Sequence, residues 1–277
     1  MDDPHNITET AWNLFHLGRH GDAAEHAARS LSMAPGDPST LRLLAEIALA
    51  TDDQAEAQRI VVQALDAEDS VASHLLAARV FDAIDDHTTA LHEVDRAIHL
   101  DPDAAYGHAL KALLIGRRRL CAADHRSPPT EDEFVSAAEA AERAIHLDPD
   151  LPFSHYAAAV VATACGELTR AAAMLDAALE LRPDWPEAHL MLGSVRARQG
   201  MVKLSTRHFA IAGRLDPQDE TAIRALRTIG WADRSRLSRA IARRLGRGRR
   251  TEPAHVVPEA RSILAADARL RSKDSAT

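Results

Sequence analysis

The stretch Ala97-Ile98-His99-Leu100-Asp101-Pro102 recurs letter for letter as Ala144-Ile145-His146-Leu147-Asp148-Pro149. Looser copies stand at Ser30 to Pro35, Ala178 to Pro183 and Ala212 to Pro217, and a sixth, Ala64 to Asp69, lacks the proline. Each copy reads as the last turn of a helix closed by a residue that cannot extend it, because proline has no amide hydrogen and crowds the preceding turn. Pro35 to Asp69 spans 34 residues, and the following intervals are 33 to Pro102, 47 to Pro149, 34 to Pro183 and 34 to Pro217. One interval breaks the period.

Within each period a first helix carries a small residue near its middle, a Gly or Asp marks a turn, and a second helix carries Ala, a bulkier residue four on, then Ala. The second unit shows this as Ala45, Asp52, Ala57, Val61, Ala64 and Leu65, and the fifth as Ala159, Gly166, Ala171, Leu175, Ala178 and Leu179. Small side chains let paired helices approach, and larger ones fill the gap to the next pair. A helix-pair unit of this length and pattern resembles the tetratricopeptide-repeat family. The resemblance implies an all-α, right-handed superhelical solenoid of about six helix-turn-helix repeats with a C-terminal capping helix. The expected bounds are 4–37, 38–70, 71–104, 105–151 with an insertion at 120–132, 152–185 and 186–219, then a capping helix over 218–230. Thr10, Lys111 and Arg196 stand where the pattern prefers a large apolar residue, and Ser205 where it prefers Ala.

Asp3-Pro4 and Asp37-Pro38 read as N-cap and first helical position, since Asp accepts orphan amide hydrogens and proline loses nothing there. Thr130-Glu131-Asp132-Glu133 reads as a capping box that starts the second helix of repeat 4. The insertion before it includes Ser127-Pro128-Pro129, an extended dipeptide. Two readings stand open: a loop that touches a partner, or a surface insertion that a turn accepts cheaply. After Pro217, residues 219–229 read as the capping helix, with Ile223 and Leu226 facing inward.

Hydrophobic residues make up 46% of the 277 and aromatic residues 4%, a core of Ala and Leu. Residues 231–277 hold 12 Lys+Arg against 5 Asp+Glu, +7, which leaves −15 on residues 1–230 and −8 on the whole chain. Arg outnumbers Lys 30 to 3, the usage expected of a high-GC bacterium. Two cysteines, Cys121 and Cys165, without motif spacing speak against a disulfide framework or a zinc site. The amino terminus has no basic start and apolar run, and no stretch reaches the ~18 apolar residues of a membrane span. A cytoplasmic protein is expected, with peripheral association at the inner face of the membrane as an extension of that reading.

Histidines 74, 108, 155 and 189 share one position of four successive repeats. Equivalent positions lie about 10 Å or more apart, whereas zinc needs nitrogens within about 2 Å of itself. A structural role between helices is expected, with a pH-sensitive stacking interface as the other reading. His16 and His20 straddle Gly18 at a turn and are not expected to bind metal. No phosphate loop, nucleophile elbow, HExxH or CxxC occurs, and the carboxylates spread along helices instead of converging. Neither catalysis nor a cofactor, metal or small-molecule substrate is expected.

In the family the first helices of successive units line a concave groove that holds an extended peptide or a partner helix. That resemblance puts on the groove Trp12, Phe15 and His16 from repeat 1, Arg42 and Glu46 from repeat 2, Arg79 and Asp82 from repeat 3, Tyr106, Leu113 and Arg117 from repeat 4, and Phe153 and Tyr156 from repeat 5. Trp12 and Phe15 share a helix face, packed as core or exposed in the groove. The mixture suggests aromatic anchors with arginines that hydrogen-bond carboxylates or backbone. The Lys and Asn set that clamps an acidic chaperone tail in some members is missing, since Asn6 and Asn13 are the only asparagines. The expected function is a non-catalytic module that binds a protein or peptide.

An alternative places function in the segment 231–250, where Arg234, Arg236, Arg239, Arg243, Arg244, Arg247, Arg249 and Arg250 surround an apolar stripe of Leu237, Ile241 and Leu245. Such a helix suits an anionic membrane surface or an acidic partner. Nucleic acid is less suited, for want of interleaved aromatics. The segment can equally fold back on the acidic repeats or stay unfolded, and residues 251–277 read as a flexible tail with one possible short helix.

Overall fold

In a computed structural model of the chain, residues 3–120, 129–217, 220–225 and 227 are described, and everything below concerns these. They form twelve helices: α1 (Pro4–His16), α2 (His20–Met33), α3 (Pro38–Ala50), α4 (Gln54–Ala67), α5 (Val71–Ala83), α6 (His87–Leu100), α7 (Ala105–Leu120), α8 (Glu131–Leu147), α9 (Pro152–Ala164), α10 (Leu168–Leu181), α11 (Pro186–Arg198) and α12 (Val202–Leu215). No strand occurs among the described residues. The chain divides into two compact units, Met1–Leu114 and Ile115–Thr277, with the boundary inside α7.

Helix starts follow the residues. Asp3 caps α1 by accepting from the His5 amide at 3.1 Å, and Asp37 caps α3 by accepting from the Thr40 amide at 2.8 Å. The box at the start of α8 is complete: the Glu133 amide donates to Thr130 Oγ1 at 3.2 Å, and the Thr130 amide donates to Glu133 Oε2 at 2.7 Å. In five of the six pairs, α7 and α8 being the exception, the turn is three residues long, and these turns share one device. In the first, Gly18 has φ +74° and the Arg19 amide reaches back to the Leu14 carbonyl at 2.9 Å. Asp52, Asp85, Gly166 and Gly200 repeat it, with the amides of Asp53, Asp86, Glu167 and Met201 on the carbonyls of Ala48, Phe81, Ala162 and Arg196. This left-handed closure satisfies helix-end carbonyls that would otherwise lack partners.

The pairs close on small residues. Ala11, Ala45, Ala78, Ala112 and Ala159 on the first helices are all fully buried, and Gly193 takes that place in α11. On the second helices Ala23, Ala57, Ala90, Ala137, Ala171 and Ser205 are fully buried too. Val61, Val94 and Leu175, four residues on, fill the space toward the next pair at 0% exposure. In the unit Met1–Leu114 the first helices also touch one another, α1 against α3 and α3 against α5. Repeat 1 adds a buried hydroxyl cluster in which Thr8 Oγ1 lies 2.8 Å from both Ser30 Oγ and Thr40 Oγ1, tying α1 to α2 and α3.

The irregular positions have local explanations. Lys111 Nζ pairs with Asp95 of α6 at 2.8 Å, and Arg196 Nη2 with Asp176 of α10 at 2.8 Å. Each charged side chain therefore finds a carboxylate on the preceding second helix instead of entering the core. Thr10 is exposed and donates to the Asn6 carbonyl at 2.8 Å. The extra residues of repeat 4 go partly into helix. α7 has 16 residues where the other first helices have 13, and α8 has 17 where the other second helices have 14, so Leu120, Glu131 and Asp132 are helical. Residues 121–128 lie outside the described residues.

The capping segment corrects one expectation. Residues 220–225 are helical, but Ile223 is 37% exposed. Ala222, at 1%, is the buried residue, and a Cβ placed on Gly213 would meet its Cβ at 3.4 Å. A contact between two such small residues brings the backbones close and turns the neighbouring isoleucine outward. Leu226, the second residue expected inward, lies outside the described residues, as do all of 228–277.

Candidate functional site

Trp12, Glu46 and Arg79 sit at corresponding places on α1, α3 and α5, 34 and 33 residues apart. Because these helices touch in order, the three residues form a row across the first-helix face of the unit Met1–Leu114. At the α1 end Trp12 and Phe15 meet edge to face, with ring centroids 5.9 Å apart, and Trp12 stacks on His16 at 5.8 Å. Trp12 and Phe15 are half-buried against the core of Ala11, Ala23, Ala27, Leu43 and Ile47, while His16 is exposed. The cluster is thus partly core and partly surface, an apolar ledge with one polar ring on top.

Beyond the ledge the face is polar and internally paired. The Arg79 guanidinium donates to the Glu46 carboxylate, and both side chains keep part of their surface in solvent. Burial works against the charge of Arg79, but Glu46 and Tyr106 more than offset it, so its pKa stands above the ordinary value. Burial likewise raises the Tyr106 phenol, partly countered by Arg79. Arg42 donates through Nη1 to Glu68 Oε2 at 2.5 Å, with Ser73 Oγ at 3.5 Å. Asp82 lies 3.4 Å from His87 Nδ1. The guanidiniums expected to reach for a ligand's carboxylates are therefore already held by carboxylates of the same chain. The sequence showed the arginines on the first helices, whereas Glu68 stands in the connection between repeats 2 and 3, off the mapped face.

Leu113 needs a correction. At 7% exposure it is a packing residue and not a contact for a ligand. It holds the place on α7 that Arg79 holds on α5, but its neighbours Ala112 and Leu114 are buried as well, so this stretch of α7 is core on several sides.

In the unit Ile115–Thr277, Arg117 is exposed and Phe153 and Tyr156 are half-buried. The two aromatics pack on a cluster that includes Leu175, Leu192 and Trp185. Tyr156 and Trp185 have ring centroids 4.8 Å apart, and the Arg182 guanidinium sits 5.2 Å from the centroid of Trp185. Trp185 escaped the mapping because it caps α11 from a connection. Its signal was the Trp-Pro pair at the start of that helix.

The four equivalent histidines hold connections. His108, His155 and His189 donate through Nε2 to the carbonyls of Pro102, Pro149 and Pro183 at 2.9, 2.7 and 3.0 Å. In the repeat that lost its proline, His74 Nε2 meets Asp69 Oδ1 at 2.6 Å, and its Nδ1 meets Glu93 Oε2 at 2.6 Å. His189 Nδ1 lies 3.1 Å from Nδ1 of His208, the rings stacked at 5.4 Å. Among the described residues no group of three or more His, Cys, Asp or Glu is placed to hold a metal ion, and no helix is long and apolar enough to cross a membrane. The eight arginines of 231–250 lie outside the described residues.

No family model and no curated protein matches the sequence. Solved structures do match the fold. The Cut9-Hcn1 hetero-tetramer of the APC/C aligns with TM-score 0.65 at 11% identity over 82% of this chain and 42% of that one, so this chain spans about two fifths of that relative's length. PilW, a widely conserved type IV pilus biogenesis factor, aligns with TM-score 0.61 at 16% identity over 82% and 97% of the two chains. PilF of Pseudomonas aeruginosa aligns with TM-score 0.51 at 15% identity over 76% and 93%. With its 34-residue period, its paired helices closing on small residues and these neighbours, the chain has the helical-repeat solenoid fold of tetratricopeptide-repeat proteins.

Proposed function

We propose that this chain is a non-catalytic scaffold that binds a protein or peptide on its first-helix face. The observation that carries this reading is the row on α1, α3 and α5: the ledge of Trp12, Phe15 and His16 on α1 is followed by Glu46 on α3 and Arg79 on α5, with Tyr106 of α7 near the Arg79–Glu46 pair. Aromatic anchors beside half-exposed charged groups are the composition in which binding energy concentrates at interfaces. The ion pair of Arg79 with Glu46 fixes the guanidinium, which leaves its other N–H donors directed for a ligand's backbone carbonyls at little further cost in side-chain order. The Cut9-Hcn1 neighbour is itself an assembly of two different proteins, which accords with the reading.

Affinity capture from a lysate, identified by mass spectrometry, tests it with the full chain and the variant W12A/Y106A. The variant is expected to lose about tenfold of the captured partner, in keeping with truncation of two anchors, with unchanged helical circular dichroism. Equal recovery by the two proteins refutes the face. Recovery that instead depends on the eight arginines from Arg234 to Arg250 moves the function to that segment.

A further inference from the structure

We infer that the first-helix face of the unit Met1–Leu114 selects a basic partner segment, one with Arg or Lys beside apolar residues; this deepens the function proposed above and rests on it. The acidity of the repeats is not evenly spread. Residues 1–114 hold 7 Lys+Arg against 20 Asp+Glu, −13, whereas residues 115–230 hold 14 against 16, −2. Moreover, the cations of the first unit are committed. Arg19, Arg42, Arg59, Arg79, Arg96 and Lys111 pair with Asp22, Glu68, Glu56, Glu46, Asp69 and Asp95. Six of its seven Lys and Arg are thus neutralised by carboxylates of the same unit, and most of the remaining acids face outward.

The local arrangement points the same way. α1, α3 and α5 end at the same edge of the unit, where their last carbonyls add partial negative charge. The last turns of α3 and α5 contain no basic residue. At this edge Asp52 and Asp85 occupy the left-handed turn position, φ +60° and +61°, that glycine fills in repeats 1, 5 and 6. Both are exposed, and Asp82 stands one turn back on α5. The ledge of Trp12 and Phe15 stands on α1, the helix next to α3, and is continued toward the same edge by Leu17 at 73% exposure. A guanidinium or ammonium group is attracted both by a carboxylate row and by the face of an indole, while the apolar neighbours of that cation cover the ledge. An acidic segment would meet repulsion from the unit's net charge and find its cations already paired.

Fluorescence anisotropy on the full chain tests the inference with two labelled peptides: four copies of Arg-Ala-Leu-Arg, and four copies of Glu-Ala-Leu-Glu. The Arg peptide is expected to bind at least about tenfold tighter than the Glu peptide at physiological ionic strength, and to weaken as salt rises. The variant D52N/D82N/D85N is expected to weaken it about fivefold, since asparagine keeps the left-handed turn and removes the charge. The single change W12A is expected to weaken it by a similar factor. Equal or tighter binding of the Glu peptide, lost in W12A, overturns the basic preference and leaves the binding face standing. Arg-peptide binding that neither variant alters reduces the effect to general attraction and overturns the assignment. If binding emerges only when the arginines from Arg234 to Arg250 are Gln, the occupant is the chain's own tail and not a partner. If neither peptide binds while capture still depends on Trp12 and Tyr106, this inference fails and the proposed function survives.

Discussion

Between α11 and α12 two imidazoles share one hydrogen. His189 donates through Nε2 to the Pro183 carbonyl, so in the neutral ring its Nδ1 accepts, and His208 Nδ1 is the donor. A proton added to His208 enters at Nε2 and leaves this hydrogen bond in place, so what opposes it is burial and the positive groups nearby. Burial and the neighbouring His189 lower the pKa of His208, with Arg196 and Arg207 acting in the same direction and Asp176 against them. Above about pH 6.5 both folded and unfolded chains hold this ring neutral. Below it the unfolded chain takes up the proton first, so stability falls as pH drops through that window. Thermal melts between pH 7 and 5.5 are expected to show this fall, and the variant H208N, neutral and still a donor, is expected to flatten it. The carboxylates act lower. Arg42 lowers Glu68, His74 lowers Asp69, and the Thr130 amide lowers Glu133, so their contribution is lost only as pH falls through the acidic range. A second residue decides a packing contact: a Cβ on Gly193 would lie 2.7 Å from Phe209 Cε1 and 2.8 Å from Cδ1. Phe209 is 4% exposed and its ring cannot swing away, so G193A is expected to destabilise by about 1–3 kcal/mol in urea unfolding.

At the scale of helices, the capping box of α8 is the feature most open to test. Removing the Thr130 hydroxyl leaves the Glu133 amide without its partner, and T130A is expected to cost about 1 kcal/mol and to raise hydrogen exchange in the first turn of α8. This box, the Asp-Pro starts of α1 and α3 and the Gly or Asp turns were legible in the sequence because each depends on residues within one turn of chain. What was not legible depends on who the neighbour is. Ile223 and Ala222 are equally plausible as the inward residue of an amphipathic helix, and only the approach of Gly213 decides for the alanine. Leu113 matched the pattern of an exposed row, and the packing around α7 buried it. Arg42 and Arg79 were legible as residues of the first helices, but their partners Glu68 and Glu46 come from other elements, and no local pattern announces that pairing.

Within each of the two units, helices touch their sequence neighbours: α2 meets α3 and α4 meets α5 in one, α8 meets α9 and α10 meets α11 in the other. Stability in such an array is the sum of pair and neighbour terms, and among the described residues the α1–α2 pair touches one neighbouring pair while α3–α4 touches two. Amides of α1 are expected to exchange by local opening at lower free energy than those of α4, as native-state hydrogen exchange measures. The same locality bears on the histidine ties. In His108, His155 and His189 the bond from ring to prolyl carbonyl spans six residues, so each connection carries its own fastening and borrows nothing from distant sequence. A cassette of residues 149–182 therefore brings with it both the prolyl carbonyl and the ring that grips it. Spliced in twice, it would lengthen the protein by one register as a bead is added to a string, giving helical ellipticity in proportion and a melting temperature no lower than before.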